Sequence, residues 1–355
     1  MPAIKLPTFA DGDLSFTIAH ATAIVMRVAC AIPVKTSFGT MFDRSAVFVE
    51  LEDTQGNRGL GEVWCNFPAC GAEHRARLLE TVLFPALIGV SFDSPHQCFA
   101  ALDAQFARLA IQSGEAGPVA QSLAGMDIAL WDLVARRAGL PLYRLLGGED
   151  ATIPTYASGI NPAQAAQTVE RCRSEGHRAF KLKIGFDRSS DLDNIARISA
   201  SLSENEILMV DANQAWSLEE ALEIVPDLKA WPLRWLEFSL AITGNAYGVI
   251  QPDLCKWGGI SGVLPVARQA IAAGKLYCPH YLGGGIGLAA SAHLLAAVGG
   301  DGLLEIDANE NALRTELFPA MVTDGELTLN DAPGLGLANA FERLKASGIA
   351  GGAPA

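Results

Sequence analysis

Phe180-Lys181-Leu182-Lys183-Ile184-Gly185 alternates apolar and cationic residues and then stops at a glycine. A strand repeats every two residues, so Lys181 and Lys183 share one face and Phe180, Leu182 and Ile184 the other. On an isolated amphipathic strand such lysines are simply solvated. The chain that follows argues for something else. Polar groups recur at Asp211, Glu237, Asp253, His280 and Glu305, at intervals of 28, 26, 16, 27 and 25 residues counted from Lys183. A strand, a loop, a helix and a return loop consume roughly 25 to 30 residues, so the spacing predicts successive βα units of a parallel barrel, each with a polar group where its strand ends. Helices cover the outer face of a barrel strand, which turns the lysines inward, where a charged amine needs a partner or a task.

Working outward, short apolar strands are expected at 153–158, 179–184, 207–211, 234–237, 247–251, 276–279 and 303–306. Helical spacing separates most of them, at 162–175, 190–203, 217–229, 260–273 and 288–298. Upstream the pattern differs: β-branched and aromatic runs at 18–32 and 45–52 read as a small antiparallel sheet, followed by helices at 71–90, 94–110 and 118–138. The polar, glycine-containing stretch from Pro33 to Arg44 is expected as a loop long enough to act as a lid. A chain of 355 residues exceeds the usual size of one core. The expected division is an α+β capping domain over residues 1–140, completed by about 315–355, and a (β/α) barrel domain over 141–314.

Composition excludes several roles. The net charge of −13, with no basic stretch, argues against nucleic acid as a partner. Seven scattered cysteines with no paired or zinc-like spacing read as reduced thiols of a cytoplasmic protein. No apolar run reaches the roughly 18 residues of a membrane span, and Met1 to Asp13 lacks the order of a signal peptide. An anionic substrate would need local positive charge, from a metal or from lysines.

Each polar group has an ordinary reading to set against a chemical one. Asp211 and Asn213 could cap the next helix, but Ser217, directly before Leu218-Glu-Glu-Ala-Leu, is the better cap. Asp211 and Glu237 are thereby left for a metal, and carboxylates with few soft competitors suit a hard ion such as Mg²⁺. A lone histidine is usually structural. Here Asp253, from the neighbouring strand, is placed to orient His280 and raise its pKa, giving an acid/base dyad. Glu305 faces the same mouth, with Asp307 on its face as a competing candidate.

In this order the residues resemble the enolase superfamily, in its mandelate racemase/muconate lactonizing enzyme family and the mandelate racemase-like subgroup. The resemblance runs from Gly125-Met-Asp-Ile-Ala-Leu-Trp-Asp through Gly139-Leu-Pro-Leu to Lys181-Leu-Lys, Asp253 to Gly262, His280 and Glu305. It implies a modified (β/α)7β TIM-type barrel under an α+β N-terminal cap. Lys183 resembles the base on one substrate face, with Lys181 tuning it and contacting the substrate carboxylate. Asp253 and His280 resemble the dyad on the other face, Asp211 and Glu237 the first two Mg²⁺ ligands, and Glu305 the residue that hydrogen-bonds the developing enediolate. Asn213 lies beside the substrate, and Pro33 to Arg44 resembles the specificity-determining lid. The partner implied is a small carboxylate, with no nucleic acid and no membrane, bound by a homo-oligomer.

The chemistry explains the combination. A hydrogen α to a carboxylate is too weakly acidic for a side-chain base unless the dianionic enediolate is stabilised as it forms. Mg²⁺ and the lysines would supply that, and desolvation together with Lys181 would lower the pKa of Lys183. A base on each face permits racemisation or epimerisation of a 2-hydroxy acid; a β-hydroxyl that leaves with the help of His280 makes the site an acid-sugar dehydratase.

The interval from Glu237 to Asp253 is too short. The family pattern places two βα units there, roughly 50 residues at this spacing, against 16 in this chain. About one unit is absent, and with it the strand that ends in the third metal-ligating glutamate; no glutamate lies between 237 and 305. Phe238 to Gly244 resembles the helix that would follow the absent strand. A true deletion opens a barrel whose closure is strongly constrained, which favours a natural chain that contains the missing residues. Two other readings remain: a non-catalytic enolase-like barrel with an incomplete metal site, and a lysine Schiff-base enzyme, for which the carboxylates and dyad have no purpose.

Overall fold

The computed structural model describes residues 13–36, 39–213, 215–237 and 248–347. The N-terminal part is a four-stranded antiparallel sheet in the order β3-β2-β1-β4, formed by β1 (Phe16–Thr36), β2 (Gly39–Asp53), β3 (Arg58–Val63) and β4 (Ser91–Phe92). Helices Pro95–Ser113 and Ala116–Arg137 pack beside it. The second of these lies so close to β3 that a Cβ on Gly59 would stand 2.1 Å from the Ala129 carbonyl oxygen, and one on Gly61 2.0 Å from that of Gly125. Only glycine permits the approach, and it carries Glu62 across to the barrel.

Residues 33–44, expected as a loop, are instead the far end of a long hairpin, because β1 continues to Thr36 and β2 begins at Gly39. Val34 pairs with Met41, and the register is irregular between Ala29 and Val34, where Pro33 has no amide to offer a ladder. Positions 37 and 38 lie outside the described residues.

The second part alternates strand and helix. Its strands are β5 (Thr152–Ile160), β6 (Ala179–Lys183), β7 (Ile207–Asp211), β8 (Leu233–Glu237), β9 (Val249–Ile250), β10 (Leu276–Tyr277) and β11 (Leu304–Asp307). β5 to β8 pair in sequence, all parallel, β11 returns to pair with β5, and β9 pairs with β10. A terminal hairpin, β12 (Val322–Thr323) and β13 (Glu326–Thr328), adds antiparallel to the start of β5. Beyond it, helix Ala338–Ala346 returns to the N-terminal sheet, where the Phe341 ring meets Phe48 edge-on.

Alternation sorts the side chains as the strand period requires. Phe180, Leu182 and Ile184 join Val169, Ile195 and Ile198 in the layer between strands and helices, while Tyr156, Met209 and Cys278 fill the barrel interior. The helix after β7 starts where its sequence says it should: Ser217 accepts from the Glu220 amide and Glu220 accepts from the Ser217 amide, a complete capping box.

The short interval leaves a mark. The 355-residue sequence runs without interruption through it, so the shortfall belongs to this chain, against the expectation that closure would demand more residues. Among the described residues β8 pairs only with β7, and β9 only with β10. β6, β7 and β11 are almost wholly buried, whereas every residue of β8 and β9 is at least partly exposed. Phe238 to Gly244, read as a helix, lies outside the described residues. None of the seven cysteines is in a disulfide, and no described helix is long and apolar enough to cross a membrane.

Candidate active site

Strand register assembles one side of the site. Lys183 on β6 is the register partner of Asp211 on β7, which in turn partners Glu237 on β8. The three side chains therefore leave adjacent strands at one level. The Lys183 ammonium bonds Asp211 Oδ2, and Asp211 Oδ1 accepts from the Asn213 amide at 2.6 Å, with Asn213 itself at a left-handed φ of 55°.

Lys181 lies two residues deeper and is 0 % exposed. Its ammonium sits 2.7 Å from Glu237 Oε2, 2.9 Å from Glu305 Oε1 and 3.9 Å from Asp211 Oδ2, and 5.1 Å from the centre of the Tyr156 ring. Burial alone would lower its pKa; Glu237, Glu305, Tyr156 and Asp211 more than reverse this and keep it protonated well above its usual range. Lys181 is absent from the cavity wall, although the resemblance implies that it touches the substrate, and so are Asp211 and Glu237.

The other side comes from the later strands. His280 Nδ1 lies 2.9 Å from Asp253 Oδ2, while Asp253 Oδ1 accepts from the amides of Cys255 and Lys256. That fixes the imidazole's orientation. Glu305, on β11, accepts from the Ser158 hydroxyl and, at 2.9 Å, from the Tyr281 amide. Burial alone would raise its pKa, but Lys181, then His280 and the Ser158 hydrogen bond, hold the carboxyl well below the usual range. Asp211 is likewise lowered: burial opposes ionisation, and Lys181 and Lys183 outweigh it.

Asp307, the rival to Glu305, is occupied elsewhere. Its Oδ2 takes Arg44 at 3.0 Å and Arg314 at 3.4 Å, all three side chains being buried. It anchors the root of the β1–β2 hairpin to the barrel rim rather than facing the cavity.

One cavity is lined by Lys183, Asn213, His280 and Glu305 together with Ser158, Asn161 and Asn309 from the barrel, Val34, Trp64, Asn66 and Phe67 from the N-terminal part, and Lys256. Lys183 and His280 thus face one space from β6 and from the end of β10, with β11 and β5 between them in the ring. Ser158, Trp64 and Lys256 were not singled out in the sequence. Ser158 and Lys256 carried a faint signal, one near the end of a barrel strand and the other three residues after Asp253.

Asp211 and Glu237 could hold a metal. Two oxygen donors from register-paired positions suit a hard ion, and Mg²⁺ is often bound by one or two carboxylates with waters and substrate oxygens completing the shell. The pair therefore fits Mg²⁺ as a two-carboxylate site. Among the described residues no cluster of three or more Asp, Glu, His or Cys side chains converges to complete it.

Comparison with known proteins agrees with this architecture. The family described as mandelate racemase/muconate lactonizing enzyme, N-terminal domain, matches residues 20–147. The enolase C-terminal domain-like family matches residues 164–240 and 237–342, two pieces that meet at the short interval. A 3,6-anhydro-alpha-L-galactonate cycloisomerase of Streptomyces coelicolor is 28% identical, covering 87% of this chain and 93% of its own. An arabinonate dehydratase of Saccharolobus solfataricus is 27% identical, over 82% and 87%. Among solved structures, a mandelate racemase/muconate lactonizing enzyme from Bordetella bronchiseptica RB50 is 48% identical with a TM-score of 0.83, covering 94% of this chain and 99% of its own. A racemase from Streptomyces coelicolor with bound magnesium is 25% identical with a TM-score of 0.80, over 93% and 99%. These relatives are lyases and isomerases, and the chain belongs to the mandelate racemase/muconate lactonizing enzyme family of the enolase superfamily.

Proposed function

We propose that this protein abstracts the α-proton of a hydroxy-carboxylate through an enediolate and acts as an acid-sugar dehydratase. The observation that carries the reading is the placement of Lys183, His280 and Glu305 on one cavity, with Asp253 bonded to His280 from outside its wall. In this reading Lys183 takes the α-proton from one face, once Asp211 is engaged elsewhere and the amine has given up its own proton. His280, oriented by Asp253, protonates the departing β-hydroxyl. Glu305 hydrogen-bonds the enediolate, and Lys181 holds Glu237 and Glu305 in place from beneath. Mg²⁺ bound by Asp211 and Glu237 would supply positive charge to the substrate carboxylate as negative charge develops. Names among the relatives, a dehydratase of a sugar acid and a cycloisomerase of another, support this substrate class.

The second reading is a racemase or epimerase of a 2-hydroxy acid, favoured by the same two groups acting on opposite faces. Incubating the protein with a panel of acid sugars and Mg²⁺ in D₂O separates the two. A 2-keto product marks the dehydratase; α-deuterium with inversion and no keto acid marks the racemase. If no acid exchanges and calorimetry detects no Mg²⁺ binding, the chain is a binding barrel and the proposal fails.

A further inference from the structure

Glu62 has no part in that reading, yet β3 carries it out of the N-terminal part to the barrel. It is 2% exposed, and both carboxylate oxygens accept: Oε1 from the Gly284 amide at 2.5 Å and Oε2 from the Gly287 amide at 2.9 Å. Those amides belong to the turn after His280 and to the first turn of the helix Gly285–Val298. Glycines make the room. A Cβ on Gly284 would stand 2.7 Å from Glu62 Oε1, and one on Gly283 or Gly287 would stand 2.4 or 2.3 Å from the Tyr281 hydroxyl oxygen. Burial pushes the Glu62 carboxyl above its usual value against the pull of the Gly287 amide, and no basic side chain among the described residues offsets it. A buried carboxylate without a counter-charge is costly to keep.

The turn that Glu62 grips carries the acid side of the site. The Tyr281 amide donates to Glu305 Oε2 at 2.9 Å, and the Asn66 side chain, shortly beyond Glu62, donates to the Leu282 carbonyl at 2.6 Å. The Trp64 amide donates to the Cys255 carbonyl at 3.3 Å, just after Asp253. Positions 62 to 66 thus touch both turns that present the His280–Asp253 pair. Lys183 and Asp211, by contrast, are set by the register of β6 and β7 within the barrel. Resting on the α-proton abstraction reading, we infer that Glu62 is a positioning residue for His280: seating the N-terminal part aims the imidazole, while the Lys183 side assembles without it. Glutamine keeps the shape but offers a single acceptor oxygen, so its amino group would oppose one of the two amides and shift the turn. Glu305 would keep its place, since Ser158 and Lys181 hold it as well.

The test uses the full chain with Mg²⁺ and an acid that it turns over, as wild type, Glu62→Gln and Asp53→Asn, matched for folded fraction. Asp53→Asn is the control for general loosening, because Asp53 accepts the amides of Gln55 and Asn57 in a turn of the N-terminal sheet. Two steps are read apart: α-deuterium uptake with retention, which needs Lys183, and formation of 2-keto or inverted product, which needs His280. A catalytic group displaced by about 1 Å loses up to about 100-fold, so Glu62→Gln should lower kcat for product by about 10- to 100-fold and leave KM and deuterium uptake within about threefold of wild type. Asp53→Asn should move neither step beyond that limit. Product formation within about threefold of wild type, an equal fall in both steps, or the same split in Asp53→Asn overturns the inference while leaving proton abstraction intact. If Glu62→Gln does not fold, Glu62→Asp, which keeps both acceptors but withdraws them by one methylene, is read by the same criteria. If the wild type exchanges nothing, the catalytic reading fails, and the ring ¹⁵N signals of His280, assigned with His280→Gln, decide this one. A shift in Glu62→Gln with none in Asp53→Asn sustains it, and any other pattern overturns it.

Discussion

Replacing Asp307 with asparagine removes one charge and keeps the shape, and the surroundings of that carboxylate set the cost. Asp307 ends β11, 4% exposed. Oδ2 takes Arg44 at 3.0 Å and Arg314 at 3.4 Å; Oδ1 takes the Asn309 amide at 3.0 Å and its side chain at 2.7 Å. Burial alone would raise its pKa, and Arg44 and then Arg314 more than reverse that, so the carboxyl is lowered from about 3.8. Asp307→Asn leaves the Arg44 guanidinium, itself 2% exposed, with no counter-charge among the described residues. Breaking a buried ionic group in this way costs about 3–5 kcal/mol. The measurement is urea unfolding at pH 7, wild type against D307N, with m compared so that a shift in midpoint reads as stability. Arg44→Met should cost less in the D307N background than in wild type, by about 0.5–3 kcal/mol of coupling. A carboxyl whose folded pKa is depressed contributes stability above its unfolded pKa and loses it as pH falls through the folded one. The gap between wild type and D307N should therefore narrow below about pH 4. A cost under about 1 kcal/mol at pH 7, or strict additivity with Arg44→Met, would refute the view that this triad pins the hairpin to the barrel.

Ser217→Ala breaks the capping box and should cost about 1 kcal/mol in urea, with amide exchange accelerated first in the helix Leu218–Leu228. Gly61→Ala drives a Cβ to 2.0 Å from the Gly125 carbonyl oxygen and should cost at least about 1–3 kcal/mol by displacing the helix Ala116–Arg137, seen as a lowered Tm. His293 is buried, its Nδ1 accepts the Tyr143 amide at 3.2 Å, and burial pushes its pKa down to about 3. The unfolded chain takes up that proton near pH 6.5, so stability should fall as pH drops from about 6.5 towards 3, by up to about 1.4 kcal/mol per unit, and fall less steeply in His293→Asn.

The barrel was legible because its signal is periodic twice over. Strand alternation set Phe180 and Leu182 against Lys181 and Lys183, and unit spacing put Asp211 at the end of β7, His280 just past β10 and Glu305 within β11. Both periods are local or nearly so. What escaped depends on contacts across long separations. Nothing near Asp307 in sequence announces Arg44, 263 residues away, so it read as an equal of Glu305. Ser158 is 147 residues from the Glu305 it bonds, and Lys256 meets Trp64, just past β3, far away in sequence. The hairpin at 33–44 was misread for a different reason: proline and glycine are loop signals unless a register irregularity absorbs them, and the partner strand decides that.

The short interval bears on chemistry through charge rather than through closure alone. Asp211, Glu237 and Glu305 bring three negative charges to the floor, and Lys181 and Lys183 return two. The floor is left with a single net negative charge. When Lys183 is the neutral base that the proposed reaction requires it becomes two, and a further glutamate on a strand between β8 and β9 would make it three. Hard-cation affinity follows the number and charge of the oxygen ligands, so two carboxylates already shared with ammonium groups make a weak site by themselves. An acid substrate brings the missing oxygens and the missing charge in one group. In the proposed reading the substrate carboxylate would take over part of what a third protein ligand does, and ion and acid are expected to bind with positive coupling, each raising the affinity of the other.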